Sequence, residues 1–165
     1  MSGAPRAVVV VASTRAASGA YEDTTGPLLV DWLRSRGLEV PDAVVVADAD
    51  VTGHLDEVLG GNTTARPSVV LTTGGTGISP TDQTVAAVRP HLTHELPGLV
   101  TALQQRGVDA GVPTAVLSGG VAGVAGRTFV MTLPGSRGGV KDGIVVLDPV
   151  LDHLLNQLEG RTDHD

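Results

Sequence analysis

The feature that most constrains the fold is an uninterrupted apolar run close to the start of the chain, residues 7–12. A strand with one face in water alternates apolar and polar residues, whereas a strand buried on both faces of a parallel sheet does not. Similar runs recur further along the chain, at 44–46, 68–72 and 128–131. Segments with helical spacing lie between them. The sequence therefore predicts an α/β fold, a single three-layer doubly wound domain over residues 1–165 with a mostly parallel sheet and one antiparallel edge strand.

The last third of the chain departs from this alternation. Residues 114–117 and 128–131 are both typical of strands, and the small residues 118–127 connect them. We expect one of these two strands to pair antiparallel at the sheet edge. Asp148 is predicted to cap the final helix, and a frayed tail is expected at 161–165.

Composition argues against several classes of protein. The chain has no cysteine, which removes disulfides, thiolate zinc sites and iron–sulfur clusters. A net charge of -7 and 2% aromatic residues disfavour nucleic acid as a partner. The N-terminus lacks the pattern of a secretory signal, and no apolar stretch reaches the roughly 18 residues of a membrane span. We therefore expect a cytoplasmic protein with neither a nucleic-acid nor a membrane partner.

A glycine-rich loop, Thr73-Gly74-Gly75-Thr76-Gly77, follows the third predicted strand directly. Ligands of open α/β sheets bind beyond the carboxyl ends of the strands, and glycines let backbone amides approach phosphate oxygens. The loop is not a Walker A motif, because Ile78 stands where the lysine is required, and Pro80 takes the place of the third glycine of a dinucleotide fingerprint. Loop chemistry alone leaves two alternatives, an anion-binding loop and a plain turn between strand and helix.

Two carboxylates are the candidate metal ligands. Asp48 follows the second predicted strand, and Asp82 follows the glycine loop. Each by itself is equally typical of a turn residue or a helix cap. Because parallel strands end at one edge of a sheet, however, the pair could hold Mg²⁺ beside a polyphosphate. The histidines form no zinc motif, and Ser118 lacks the preceding glycine of a nucleophile elbow.

Four separated segments of the chain carry a resemblance to a known family. They are 21–29, 72–82, 96–98 with 121–128, and 133–143. In this order they resemble the MogA/MoaB family of molybdenum cofactor biosynthesis. The resemblance implies a compact α/β domain, usually a homotrimer and sometimes a hexamer. It also implies adenylyl transfer from ATP to molybdopterin with Mg²⁺, and the molybdenum insertion machinery as a further partner.

Matched by position, the resemblance implies a role for individual residues. Asp48 and Asp82 match the family's functional acidic residues, which would hold Mg²⁺. The residues implied to bind ATP or molybdopterin are Ser13, Thr73, Gly74, Gly75, Thr76, Gly77, Ser118, Pro134, Gly135 and Ser136.

Four positions depart from the family pattern. Thr81 and Gly119 stand where the family often has arginine, Arg137 replaces a frequent proline, and Thr14 replaces an aspartate. Each missing arginine removes a charge-assisted contact to a polyphosphate, worth about 1.5–3 kcal/mol. The main alternative is therefore a molybdopterin-binding module with little or no catalytic activity. Hydrolysis of a nucleotide, as in competence-damage-type proteins that share the domain, is a third.

Overall fold

The computed structural model describes residues 3–61 and 66–160, and its strands form one six-stranded sheet. The strands in chain order are β1 Ala7–Ala12, β2 Val44–Val46, β3 Val69–Thr73, β4 His94–Glu95, β5 Ala122–Ala125 and β6 Thr128–Leu133. Their order across the sheet is β2-β1-β3-β6-β5-β4. The first four in this order are parallel, and β5 is antiparallel to both of its neighbours. The four parallel strands therefore all end at the same edge of the sheet.

Helices cover both faces of the sheet. They are α1 Thr14–Ala17, α2 Thr25–Ser35, α3 Val51–Gly60, α4 Thr84–Val88, α5 Pro97–Asp109, α6 Arg137–Leu147 and α7 Leu151–Leu158, with short 3-10 helices at Asp48–Asp50, Arg89–His91 and Pro113–Leu117. Val9 and Leu71 of the central strands pack with α2, α6 and α7, whereas Val10 and Val70 pack with α3 and α4. The predicted three-layer α/β fold is confirmed, because the central strands are buried on both faces.

The region before β6 differs from the prediction. Residues 114–117 are not a strand. They belong to the 3-10 helix Pro113–Leu117, which packs against α5 where Gly107 has no side chain. A Cβ at Gly107 would lie 2.5 Å from the Cβ of Ala115. The antiparallel strand is β5 instead, and it lies one place in from the edge because β4 covers its outer side.

The predicted cap of the final helix is also wrong. Asp148 follows α6 directly, and α7 begins only at Leu151. The Asp148 carboxylate accepts a hydrogen bond from Nε1 of Trp32 at 2.8 Å and pairs with the guanidinium of Arg36. This contact ties the end of α2 to the junction of α6 and α7.

The predicted tail at 161–165 lies outside the described residues. Within the part of the chain that the structure describes, none of the helices has the length and apolar character that crossing a membrane requires.

Candidate functional site

The predicted site residues follow strands that end at one edge of the sheet. Ser13 follows β1, Asp48 lies just beyond β2, Thr73 ends β3, and Pro134 follows β6. Ser118 precedes β5, and it reaches the same edge because β5 runs antiparallel to β6. Topology therefore brings residues from distant parts of the chain to the edge where open α/β sheets bind ligands.

The glycine loop leaves β3 in a conformation that only glycine adopts readily. Gly74 and Gly75 have φ angles of 90° and 70°, in the region that L side chains rarely occupy. A Cβ at Gly74 would also collide with the carbonyl oxygen of Ala12, and one at Gly75 with Oγ1 of Thr84. The loop is therefore pressed between β1 and the start of α4.

The same loop presents unused backbone donors. Consecutive N–H groups from Gly75 to Ile78 have no hydrogen-bond acceptor among residues 3–61 and 66–160. Gly77 and Ile78 are exposed. A buried or half-buried N–H normally finds a partner, and a row of free amides is a suitable set of donors for an anion. This favours the anion-binding alternative over a plain turn.

The glycine loop is joined to the loop after β6. Oγ1 of Thr73 donates to the carbonyl oxygen of Pro134 at 2.8 Å, and the N–H of Gly74 donates to the carbonyl of Leu133 at 3.0 Å. Gly135 lies so close to the glycine loop that a Cβ added to it would lie 3.4 Å from Cα of Gly74. The two loops therefore form one surface.

Ser136, the last residue of the second loop, caps α6. Its hydroxyl oxygen accepts a hydrogen bond from the N–H of Gly139 at 3.0 Å. The positive end of the α6 dipole therefore points to the same edge as the free amides of the glycine loop.

A cavity of about 660 Å³ adjoins the two loops. The predicted residues Thr76, Gly77, Ser118, Pro134 and Ser136 line it. Oγ1 of Thr76 and Oγ of Ser118 lie 3.0 Å apart, within hydrogen-bond distance. Most of the remaining lining is apolar and comes from α5 and the 3-10 helix that follows it. The space has the character of a small-molecule site, which is mostly apolar with a few polar groups at fixed positions.

Ser13 and Asp48 lie on the other side of the glycine loop, above β1 and β2, and do not line the cavity. The hydroxyl of Ser13 caps α1 by accepting from the N–H of Ala16 at 3.2 Å. Oδ2 of Asp48 accepts from the hydroxyl of Thr14 at 2.9 Å. Thr14, which departs from the family pattern, therefore positions the carboxylate of Asp48.

Asp82 adjoins the glycine loop itself. Its Oδ2 accepts from the N–H of Ser79 at 3.0 Å, and a Cβ at Gly77 would lie 2.7 Å from the same oxygen. Asp82 thus holds the turn beyond Gly77 and does not cap α4. Within the described ranges no group of three or more acidic or histidine side chains gathers as a metal site, so a metal shared by Asp48 and Asp82 stays a prediction.

The predicted site did not include Gln104 on α5 or Asp142 on α6, which also line the cavity. Nε2 of Gln104 donates to the carbonyl oxygen of Ser118 at 2.8 Å. Asp142 accepts from Nε of Arg106 at 3.3 Å. The helical spacing of the leucines predicted α5, but nothing in the sequence pattern indicated that one polar residue on this helix borders a ligand site.

The other departures lie around the same loops. The hydroxyl of Thr81 lies 3.2 Å from that of Ser79, and the N–H of Gly119 donates to the carbonyl of Thr76 at 2.9 Å. Arg137 is the first residue of α6. Lys141 is the only cationic residue among the described residues that line the cavity.

Comparison with known proteins identifies the family. Residues 8–153 match the family model described as "Probable molybdopterin binding domain". The chain is 34% identical over 158 residues to the molybdenum cofactor biosynthesis bifunctional protein of Synechococcus elongatus, covering 96% of this chain and 48% of the relative. It is 36% identical over 131 residues to molybdenum cofactor biosynthesis protein B of Staphylococcus aureus, covering 74% and 78%. It thus spans about half the length of the bifunctional relative.

A solved structure of MogA superposes with a TM-score of 0.85 at 46% sequence identity, covering 93% of this chain and 99% of the other. The similarity therefore extends over nearly the whole chain. The chain belongs to the molybdopterin-binding domain family of molybdenum cofactor biosynthesis proteins, which includes MogA and MoaB.

Proposed function

We propose that this protein transfers an adenylyl group from ATP to molybdopterin, giving adenylyl-molybdopterin and pyrophosphate. The observation that carries the proposal is the row of free amides from Gly75 to Ile78, of which Thr76, Gly77 and Ile78 line the cavity. Free N–H groups suit phosphate oxygens, and the largely apolar cavity suits a ring system. Family membership supports the same reaction, since the relatives are named for molybdenum cofactor biosynthesis.

In this proposal the two substrates bind at different places along the sheet edge. The cavity beside β6 and β5 takes the ring system of molybdopterin, with its phosphate directed toward Thr76, Ser118 and the start of α6. The polyphosphate of ATP lies on the glycine loop, which separates the cavity from Asp48. The α-phosphorus then lies between the two places.

The reaction needs little from the protein beyond positioning and charge stabilisation. A phosphate oxygen of molybdopterin attacks the α-phosphorus of ATP, a new P–O bond forms, and the bond to the β-phosphate breaks to release pyrophosphate. The attacking phosphate is already ionised at neutral pH, so no general base is required. Holding the reactants in line, with amide donors on the phosphate oxygens, lowers the barrier.

The chemistry of Asp48 and Asp82 suits Mg²⁺, and these are the residues that would hold it. Asp48 and Asp82 each use one carboxylate oxygen in a single hydrogen bond, to Thr14 and Ser79 respectively, and the other oxygen has no partner among the described residues. Mg²⁺ is commonly bound by one or two carboxylates together with phosphates and water. When bound, the ion would neutralise charge on the polyphosphate.

A second candidate is a module that binds molybdopterin without turnover. It is favoured by the scarcity of positive charge, since Thr81 and Gly119 offer only a hydroxyl and a backbone N–H, and Lys141 alone brings a cation to the described cavity wall. Without further cations, the transition-state charge on the phosphates would be weakly stabilised.

The experiment mixes the purified protein with molybdopterin, ATP and Mg²⁺ and measures pyrophosphate release. Release should depend on all three, and Asp82→Ala should abolish it. The matched control is Asp42→Ala, because Asp42 is an exposed partner of Arg34. Binding of molybdopterin without release would select the binding module, and cleavage of ADP-ribose without a pterin would favour hydrolysis. Full activity in Asp82→Ala would exclude the role assigned to that residue.

We propose further that the protein assembles as a homotrimer, or as a hexamer built from trimers. The support is a group of exposed apolar side chains around the 3-10 helix and the cavity mouth, Ile78, Val112, Val116 and Leu117. Exposed apolar side chains that lie together are typical of an interface. The need for ATP also favours a cytoplasmic location, and the proposed product, adenylyl-molybdopterin, favours cooperation with the molybdenum insertion machinery.

A further inference from the structure

Gln104 presents a free acceptor to the cavity. Its Nε2 donates to the carbonyl oxygen of Ser118 at 2.8 Å. A carbonyl can only accept, so this contact fixes which end of the amide faces Ser118. Oε1 of Gln104 has no donor among residues 3–61 and 66–160, and the side chain lines the cavity.

The segment Ser118-Gly119, to which Gln104 is bonded, is itself held by two contacts with Thr76. Oγ of Ser118 lies 3.0 Å from Oγ1 of Thr76, and the N–H of Gly119 donates to the carbonyl of Thr76 at 2.9 Å. Thr76 is buried in the glycine loop. The amide of Gln104 is therefore fixed relative to the loop that would bind the phosphates. A fixed polar group of this kind is required to bind a ligand in one orientation.

Asp142 offers a second acceptor to the cavity. It lies on α6, which packs against α5, and its Oδ1 accepts from Nε of Arg106 at 3.3 Å. Its Oδ2 has no partner in the described ranges. Between them, α5 and α6 thus present acceptor oxygens from two side chains to the cavity.

We propose that Gln104 determines the specificity of the cavity for a 2-amino-4-oxopteridine ring, with Asp142 as the second acceptor. This ring carries neighbouring donors, the exocyclic 2-amino group and N3–H, and acceptor oxygens are the groups with which such an edge pairs. A 2,4-dioxopteridine places a carbonyl where the amino group was, so one acceptor would face another. The inference rests on the proposed function, because it assigns the ring of molybdopterin to this cavity.

The test titrates the full-length protein with two free rings, 2-amino-4-oxopteridine and 2,4-dioxopteridine, and follows quenching of pteridine fluorescence. The wild-type protein should bind the amino ring about tenfold more tightly or better, because the dioxo ring leaves a half-buried acceptor unpaired. Gln104→Met keeps the length of the side chain without the hydrogen bonds, and should lose that preference. Gln105→Met is the control, because the Gln105 amide bonds Asp109 on the exposed side of α5.

Equal binding of the two rings by the wild-type protein would overturn the inference, and so would an unchanged preference in Gln104→Met. The wild-type comparison needs no variant, so it holds even if Gln104→Met folds poorly. Pyrophosphate release separates this inference from the proposed function. If the protein releases pyrophosphate but binds the two rings equally, the proposal of adenylyl transfer is supported and the role of Gln104 is excluded. If the protein discriminates between the rings but releases no pyrophosphate, adenylyl transfer is excluded, and Gln104 is the specificity-determining residue of a binding module.

Discussion

The hydroxyl of Thr73 donates to the carbonyl oxygen of Pro134 at 2.8 Å, across a separation of 61 residues in the chain. Thr73 is the last residue of β3 and is fully buried, and Pro134 is the first residue after β6. Because β3 and β6 are paired parallel neighbours, the two loops that follow them start side by side. Together with the hydrogen bond from the N–H of Gly74 to the carbonyl of Leu133, this contact couples the glycine loop to the loop that leads into α6.

Thr73→Val should therefore weaken both the fold and the site. The change leaves the carbonyl of Pro134 without its donor, which should lower the free energy of unfolding by about 1–2 kcal/mol. It should also raise the KM for ATP, because the glycine loop loses its support. Urea denaturation and pyrophosphate kinetics measure the two effects. Thr73→Ser keeps the hydroxyl and should resemble the wild type; equal losses in both variants would contradict this interpretation.

Gly75→Ala should be destabilising at a position that is only half-buried. The φ of 70° is unfavourable for alanine, and its Cβ would collide with Oγ1 of Thr84. We expect a loss of about 1–3 kcal/mol in the free energy of unfolding, together with weaker ATP binding.

Gly53→Ala is the matched control for that change. Gly53 lies inside α3, and no atom beyond its own stretch of helix backbone lies within 4 Å of the position that a Cβ would take there. Alanine should therefore stabilise the protein by roughly 0.5–1 kcal/mol. Thermal unfolding of both variants checks the pair. A stable Gly75→Ala protein with normal ATP binding would show that neither stability nor ATP binding requires the positive φ angle at residue 75.

The contact between Asp148 and its partners predicts a pH dependence of stability. The hydrogen bond from Nε1 of Trp32, and then that from Arg36, hold the pKa of Asp148 below its ordinary value. The unfolded chain therefore binds the proton more readily than the folded one. The stabilising contribution is fully present above the ordinary carboxyl pKa of about 3.9. It is lost as the pH falls below that value and through the folded-state pKa.

Urea midpoints measured from pH 6 down to pH 3 test this expectation. Asp148→Asn should lower the midpoint at pH 6 and reduce its fall at acid pH, because asparagine does not titrate. Asp42→Asn serves as the control, since the Asp42 carboxylate is 97% exposed in its pair with Arg34 and such pairs contribute little. Parallel pH curves for the wild type and Asp148→Asn would exclude the contribution of Asp148.

Val116→Lys tests the proposed trimer. Val116 is 60% exposed on the 3-10 helix and does not line the cavity, so the monomer should fold normally. Sedimentation velocity should give a trimer or hexamer for the wild type and a smaller species for the variant. Val145→Lys, at an exposed position on α6, should keep the wild-type state. A monomeric wild-type protein would refute the assembly.

Parts of the fold that depend on local pattern could be predicted from the sequence. The valine runs of β1 and β3 and the helical spacing of α2 and α3 predict the observed elements, because burial on both faces leaves a continuous apolar run. The prediction of a strand at the 3-10 helix Pro113–Leu117 is wrong, because a short β-branched run does not distinguish the two. Strand β4 is too short, and β5 too rich in small residues, to carry a strand pattern.

The sequence by itself determined the layered α/β fold and the edge at which the glycine loop, Asp82 and Ser136 lie, because burial patterns and glycine turns are local properties of the chain. Only the tertiary structure decided that Gln104, Ser118 and Thr76 form one wall of a cavity. These residues come from separate elements, and they meet because β5 runs antiparallel and returns the chain to the edge where the parallel strands end. The side of a helix that borders a cavity depends on what packs against it, and that is a property of the whole fold.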